Sequence, residues 1–90
     1  MTNTLHLIVK GRVQGVYFRH YTQKQANKLH IYGWVKNLPN GDVEIMAQGQ
    51  PPALQAFQQW CQTGPLLAKV SELIINEISN DQCFTHFEIH

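Results

Sequence analysis

Residues 33–48 read GWVKNLPNGDVEIMAQ. Two runs of alternating apolar and polar side chains flank a turn built from Pro39, Asn40 and Gly41. A period of two puts alternate side chains on opposite faces of a strand. Pro, Asn and Gly supply the backbone angles that a tight reversal needs. The stretch is therefore a β-hairpin over about residues 33–38 and 42–48.

Upstream of it, residues 19–30, RHYTQKQANKLH, contain no Gly or Pro. Phe18, Tyr21, Thr22, Ala26 and Leu29 recur at spacings of three and four, which gives a helix one apolar face. Before that helix, LHLIVK at residues 5–10 is short, branched and apolar, and Gly11 closes it, as expected of a strand. Downstream of the hairpin, Pro51 and Pro52 occupy the favoured first turn of a second helix. Leu54, Phe57, Trp60 and Cys61 make its apolar stripe, and Gly64-Pro65 ends it. A long strand runs from Lys69 through KVSELIINEIS, Asn80-Asp81 forms a turn, and FTHFEIH is a last strand with Phe87 and Ile89 on one side. The order strand, helix, strand, strand, helix, strand predicts an α+β, ferredoxin-like βαββαβ sandwich, an antiparallel sheet with two helices on one face. With no linker, repeat or low-complexity segment, residues 1–90 read as one domain.

A chain of 90 residues has a thin core, so its 43% hydrophobic content must be well placed. Lys+Arg is 7 and Asp+Glu is 6, for a formal net charge of +1. That balance exerts little pull on nucleic acid or on an anionic membrane, so any bound anion must be held by a local site. Cys61 and Cys83 have no zinc-ligand spacing and read as unpaired thiols. The first residues, MTNTLHLIVKG, lack the charged and long apolar regions of a signal peptide, and no segment has the length of a membrane span. The expectation is a cytoplasmic monomer with no membrane and no nucleic-acid partner.

Between the first strand and the first helix lies GRVQGVYFR, residues 11–19. The first turn of a helix has backbone N–H groups with no intrahelical partner, and the helix dipole adds partial positive charge there. Gly15 permits a positive φ or a close ligand approach. The N–H groups of about Gly15 to Arg19 thus form a candidate anion cradle, with the planar donor fork of Arg19 beside it. The alternative is a tight turn with a solvated arginine. Against that alternative, an arginine at a helix N-terminus opposes the dipole, a cost that a bound anion removes. Asn37, near the end of its strand, has two readings: it braces the PNG turn through the backbone, or its amide orients a water beside the cradle.

Gly11-Arg12-Val13-Gln14-Gly15-Val16-Tyr17-Phe18-Arg19 resembles the first signature of the acylphosphatases, and Gly33-Trp34-Val35-Lys36-Asn37 with Asn40-Gly41 and Val43-Glu44 resembles the second. The two stand in the family's order, and the resemblance covers nearly the whole chain. It implies hydrolysis of the carboxyl–phosphate bond of acyl phosphates, with a small-molecule acyl phosphate as partner, no cofactor and no metal. By resemblance, the backbone of Gly15, Val16, Tyr17 and Phe18 cradles the phosphate, Arg19 binds its oxygens, and Asn37 holds the attacking water. Two departures lie outside these motifs. Gly64-Pro65-Leu66 stands where the family has Gly-Pro-Pro, and Phe87-Glu88-Ile89-His90 where it often has Phe-x-Ile-Arg-Tyr.

Other residues carry blander expectations. His20 turns about 100° from Arg19 on a helix and faces solvent. His6 shares a strand face with His86 and His90 only if the terminal strands meet. Trp34, Trp60, Phe57 and Tyr32 belong to the core or its edge, Arg12 is solvated or braces the loop, and Lys24, Lys28 and Lys36 are surface charge. Two competing functions remain open. RNA-recognition motifs share the element order, and KGRVQGVYF superficially resembles their glycine-aromatic signature, but here it leads into a helix rather than lying on a central strand. A module that binds phosphate or carbamoyl phosphate without fast turnover is the other.

Overall fold

The computed structural model describes residues 2–79 and 82–90; the expected Asn80-Asp81 turn lies outside them. The elements are β1 (Asn3–Arg12), α1 (Phe18–Lys28), β2 (Tyr32–Asn37), β3 (Val43–Gly49), α2 (Pro51–Thr63), β4 (Lys69–Ile78) and β5 (Phe87–Ile89). The strands form one sheet in the order β4-β1-β3-β2-β5. β1 pairs antiparallel with β3 and β4, and β2 antiparallel with β3. The expected sandwich is present, with one parallel pair added at its edge, where β5 runs alongside β2.

Alternation decides which face is covered. Leu5, Leu7 and Val9 of β1 are buried, as are Val35 of β2 and Val43, Ile45 and Ala47 of β3. Their neighbours His6, Ile8, Lys10, Lys36, Glu44 and Met46 are only half-buried, on the opposite face. α1 lies on β2 and β5, and α2 on β4, β3 and β1. α1 buries Phe18, Thr22 and Ala26, and α2 buries Leu54, Phe57 and Cys61. Tyr21, assigned to the apolar face of α1, is 43% exposed, and Tyr32, assigned to the core or its edge, is 40% exposed. Tyr32 alternates onto the same face as Trp34, which no helix covers.

The last strand is shorter than its composition implies. Only Phe87–Ile89 pairs regularly, with Gly33, Trp34 and Val35 as partners. The chain before it is held by a side chain instead. The buried Gln48 amide donates to Gln82 O at 2.8 Å and accepts from Phe84 N at 3.0 Å. One amide thereby supplies the donor and acceptor that a ladder would have supplied.

Two strands, β3 and β2, separate β5 from β1, so His6 does not share an edge with His86 or His90. His6 instead bonds Glu44 at 2.7 Å on the uncovered face, while His90 stacks on Trp34 with ring centroids 5.4 Å apart. Lys36 lies 5.3 Å above the Trp34 ring and 3.5 Å from Glu44, so it is a partnered cation. Cys61 is a buried free thiol whose burial pushes its pKa up, and Cys83 is an exposed one. No helix among the described residues is long and apolar enough to cross a membrane.

Candidate active site

The segment linking β1 to α1 is shaped by what it buries. Val13, Val16 and Phe18 all point into the core, at 1%, 7% and 2% exposure. The residues between them must then turn outward. Gly15 does so at φ 76°, and Tyr17 sits in the left-handed region at φ 60°, ψ 25°. That conformation costs a non-glycine residue on the order of 1–3 kcal/mol. Burying Val16 and Phe18 on either side returns roughly 1.5–3 kcal/mol each, so the strained bend persists. At Gly15 a Cβ would meet nothing within 4 Å. Its requirement is therefore backbone angle, and the space beside it is open to a ligand.

Tyr17 is the N-cap of α1, and its side chain makes no capping bond. The first turn contains no acidic residue. The leading N–H groups of α1 thus have no side-chain acceptor, and the positive end of the helix dipole is uncompensated. These are the conditions under which a helix start receives an anion.

The β2–β3 connection approaches this loop and is joined to it by Gln14. The Gln14 amide donates one hydrogen to Leu38 O at 2.8 Å and the other to Asp42 O at 2.7 Å. Leu38 N also donates to Asp42 O, closing the hairpin. Asn40 braces the turn: its Oδ1 accepts from Asp42 N at 3.0 Å. Lys10 holds the Asp42 carboxylate at 2.7 Å, and that hydrogen bond raises the lysine's pKa.

These ties bring the loop and the end of β2 around one cavity of about 430 Å³. Gly15, Tyr17, Phe18, Arg19 and Asn37 line it, together with Val13, Gln14, His20 and Ile89. Val16 is the one residue of the expected cradle that does not line the cavity. Asn37 makes no side-chain hydrogen bond among the described residues; the turn-bracing role falls to Asn40. Arg19 is half-buried and donates from Nη1 to the main-chain oxygen of His90 at 2.8 Å. Among the described residues no Asp or Glu side chain pairs with it, so most of its five donors remain available.

His20 is exposed, as expected, but it also lines the cavity. Arg12 is exposed and does not line the cavity. Gln14 and Ile89 escaped sequence reasoning. Gln14 acts through two carbonyls 24 and 28 residues away, a relationship without local signal. Ile89 reaches the site through its parallel pairing with Val35. Around the cavity the arrangement offers a helix start, the Arg19 guanidinium, the Asn37 amide beside the already bonded amide of Gln14, and the His20 imidazole, and no lining carboxylate. Such a set can bind a compact anion and orient a water. Among the described residues no cluster of His, Cys, Asp and Glu could hold a metal ion.

A ferredoxin-like sandwich with a cavity built on a helix start and a hairpin end is a small α+β scaffold suited to a compact anion. Residues 5–89 match the family model described as Acylphosphatase. An acylphosphatase from Marinobacter nauticus is 48% identical over 85 residues, 94% of this chain and 92% of that one. The crystal structure of acylphosphatase from Bacillus subtilis superposes with a TM-score of 0.95 at 39% identity, covering 100% of this chain and 99% of that one. An acylphosphatase structure from Coxiella burnetii gives a TM-score of 0.95 at 37% identity, covering 99% and 93%. The chain belongs to the acylphosphatase family and is an enzyme of the hydrolase class.

Proposed function

We propose that this chain hydrolyses the carboxyl–phosphate bond of acyl phosphates without a metal ion, with the phosphate held by Arg19 and by the main chain of Gly15, Val16, Tyr17 and Phe18, and the water oriented by Asn37. The observation that carries the reading is that the start of α1, which has no side-chain cap, Arg19 and the Asn37 amide, unpartnered among the described residues, all line one cavity.

The chemistry asks little more of the protein. Water oxygen bonds to phosphorus as the bond from phosphorus to the acyl oxygen breaks, releasing a carboxylate. A water proton passes to a non-bridging phosphate oxygen, so R–CO–OPO3 dianion and water give RCOO⁻ and H2PO4⁻. The leaving carboxylate is a weak base and needs no protein acid. Phosphoryl transfer is governed by positioning and charge stabilisation. Arg19 and the helix start neutralise the equatorial oxygens, and the Asn37 amide, too weak a base to take a proton, fixes the water in line.

The test is hydrolysis of acetyl phosphate in ¹⁸O-labelled water with a chelator present. The expected result is turnover with the label in inorganic phosphate. Label in acetate would place the attack at the acyl carbon and overturn the assignment of the water to Asn37. Turnover abolished by chelation and restored by a divalent metal would overturn the metal-free reading.

A further inference from the structure

Beside the proposed phosphate site lies a second cavity of about 420 Å³, lined by Val16, Tyr17, Tyr21, Trp60, Leu66 and Leu67 and by Pro65. Its walls are apolar apart from the tyrosine hydroxyls and the indole N–H. Tyr17 lines both cavities, with the phosphate loop on one side of it and the apolar wall on the other.

The far wall is built against expectation. After α2, Ala68 N donates to Pro65 O at 3.0 Å, which closes a turn with Leu66 and Leu67 at its tip. Such positions ordinarily hold Gly, Asn, Asp or Ser. Here Leu66 is 98% exposed, Leu67 66% and Tyr17 74%. A single exposed leucine means little, but a contiguous apolar group around a concavity marks a contact site. The turn is anchored to the site: Gly64 leaves α2 at φ 69°, and a Cβ there would meet the Phe18 ring at 2.8 Å. The apolar tip therefore keeps its position relative to the start of α1.

We propose that this second cavity receives the acyl group of the substrate, and that Leu66 and Leu67 make the enzyme favour acyl phosphates with extended apolar chains or rings over small ones. The inference rests on the acyl phosphate reading. In-line displacement puts the leaving oxygen on the opposite side of phosphorus from the water. With the water at Asn37, the acyl group departs away from β2. Asn37 and Ile89 line only the first cavity, so Tyr17 is the residue over which the acyl group passes into the second. Each methylene taken from water is worth roughly fourfold in affinity.

The experiment compares acetyl and hexanoyl phosphate, whose leaving acids are of similar strength, for the wild type and the Leu66→Ser/Leu67→Ser double variant, with inhibition by inorganic phosphate as a second readout. Full burial of the four additional methylenes would lower KM by roughly 250-fold and burial of two by more than about tenfold, so the expected KM for hexanoyl phosphate in the wild type is at least about tenfold below that for acetyl phosphate. In the double variant that gap should close, with acetyl phosphate kinetics and phosphate inhibition unchanged. Equal KM values in the wild type, or a gap that survives in the variant, would overturn the acyl-pocket proposal alone. Hydrolysis of neither compound by folded wild type would overturn the acyl phosphate reading and the pocket with it.

Discussion

Gln14 Nε2 lies 2.7 Å from Asp42 O and 2.8 Å from Leu38 O, so a single amide bolts the loop after β1 to the turn between β2 and β3. Both segments line the cavity, with Gly15, Tyr17, Phe18 and Arg19 on the loop and helix start and Asn37 at the end of β2. The distance between the proposed phosphate and water positions is thus set by a residue assigned to neither.

Gln14→Ala removes both bonds and leaves two part-buried carbonyls without that donor. The expected cost is about 1–3 kcal/mol of stability, read from denaturant midpoints. Activity should fall by about 10²-fold at a temperature where the variant is fully folded, since a displacement near 1 Å suffices for that. A stable variant of unchanged kcat would show that the two segments are positioned by other contacts.

Asn37→Ala is expected to separate binding from turnover. Inhibition by inorganic phosphate should stay within about threefold of wild type, while kcat drops by roughly 10²–10³. Because Asn40 and Gln14 brace the hairpin end and the Asn37 side chain makes no hydrogen bond among the described residues, thermal stability should hardly change. A parallel loss of phosphate affinity and kcat would instead place Asn37 on the phosphate.

On the uncovered face, the hydrogen bond from His6 holds the Glu44 carboxyl below its usual 4.5, with Lys36 adding to the effect and partial burial opposing it. A depressed carboxylate contributes stability above its unfolded value and loses it as pH falls through the folded one. The stability difference between wild type and Glu44→Gln should therefore be present above about pH 4.5 and shrink below that. Its size should be about 1 kcal/mol or less, because the pair is partly solvated. Urea titrations below about pH 5 check it, and a difference that does not shrink there would contradict the assigned pairing.

Much of the architecture is legible in local pattern. The alternation around Pro39-Asn40-Gly41 finds β2 and β3, and the three-and-four spacing of Phe18, Thr22 and Ala26 finds the buried stripe of α1. Gly15, Arg19 and Asn37 stand out because each is locally odd for its place. What escapes is long-range. Nothing local tells that Phe87–Ile89 joins β2 in parallel, that the Gln48 amide replaces a ladder before it, or that Gln14 spans to Asp42. Tyr21 was misplaced for a related reason: the apolar stripe of a helix is read from spacing, but its edge is set by how far the neighbouring helix reaches, and here Tyr21 opens onto a cavity beside Trp60.

The central claim is that a guanidinium and a helix start hold the phosphate of an acyl phosphate. Its most direct test is hydrolysis of benzoyl phosphate, with chelator present, by wild type and Arg19→Ala, alongside inhibition by inorganic phosphate. Arg19 contributes a full charge and several donors, so its removal should lower kcat by more than the roughly 10²–10³ of a single lost donor, and should weaken phosphate inhibition at the same time. A folded Arg19→Ala protein that keeps wild-type turnover and wild-type phosphate affinity would contradict the account at its centre.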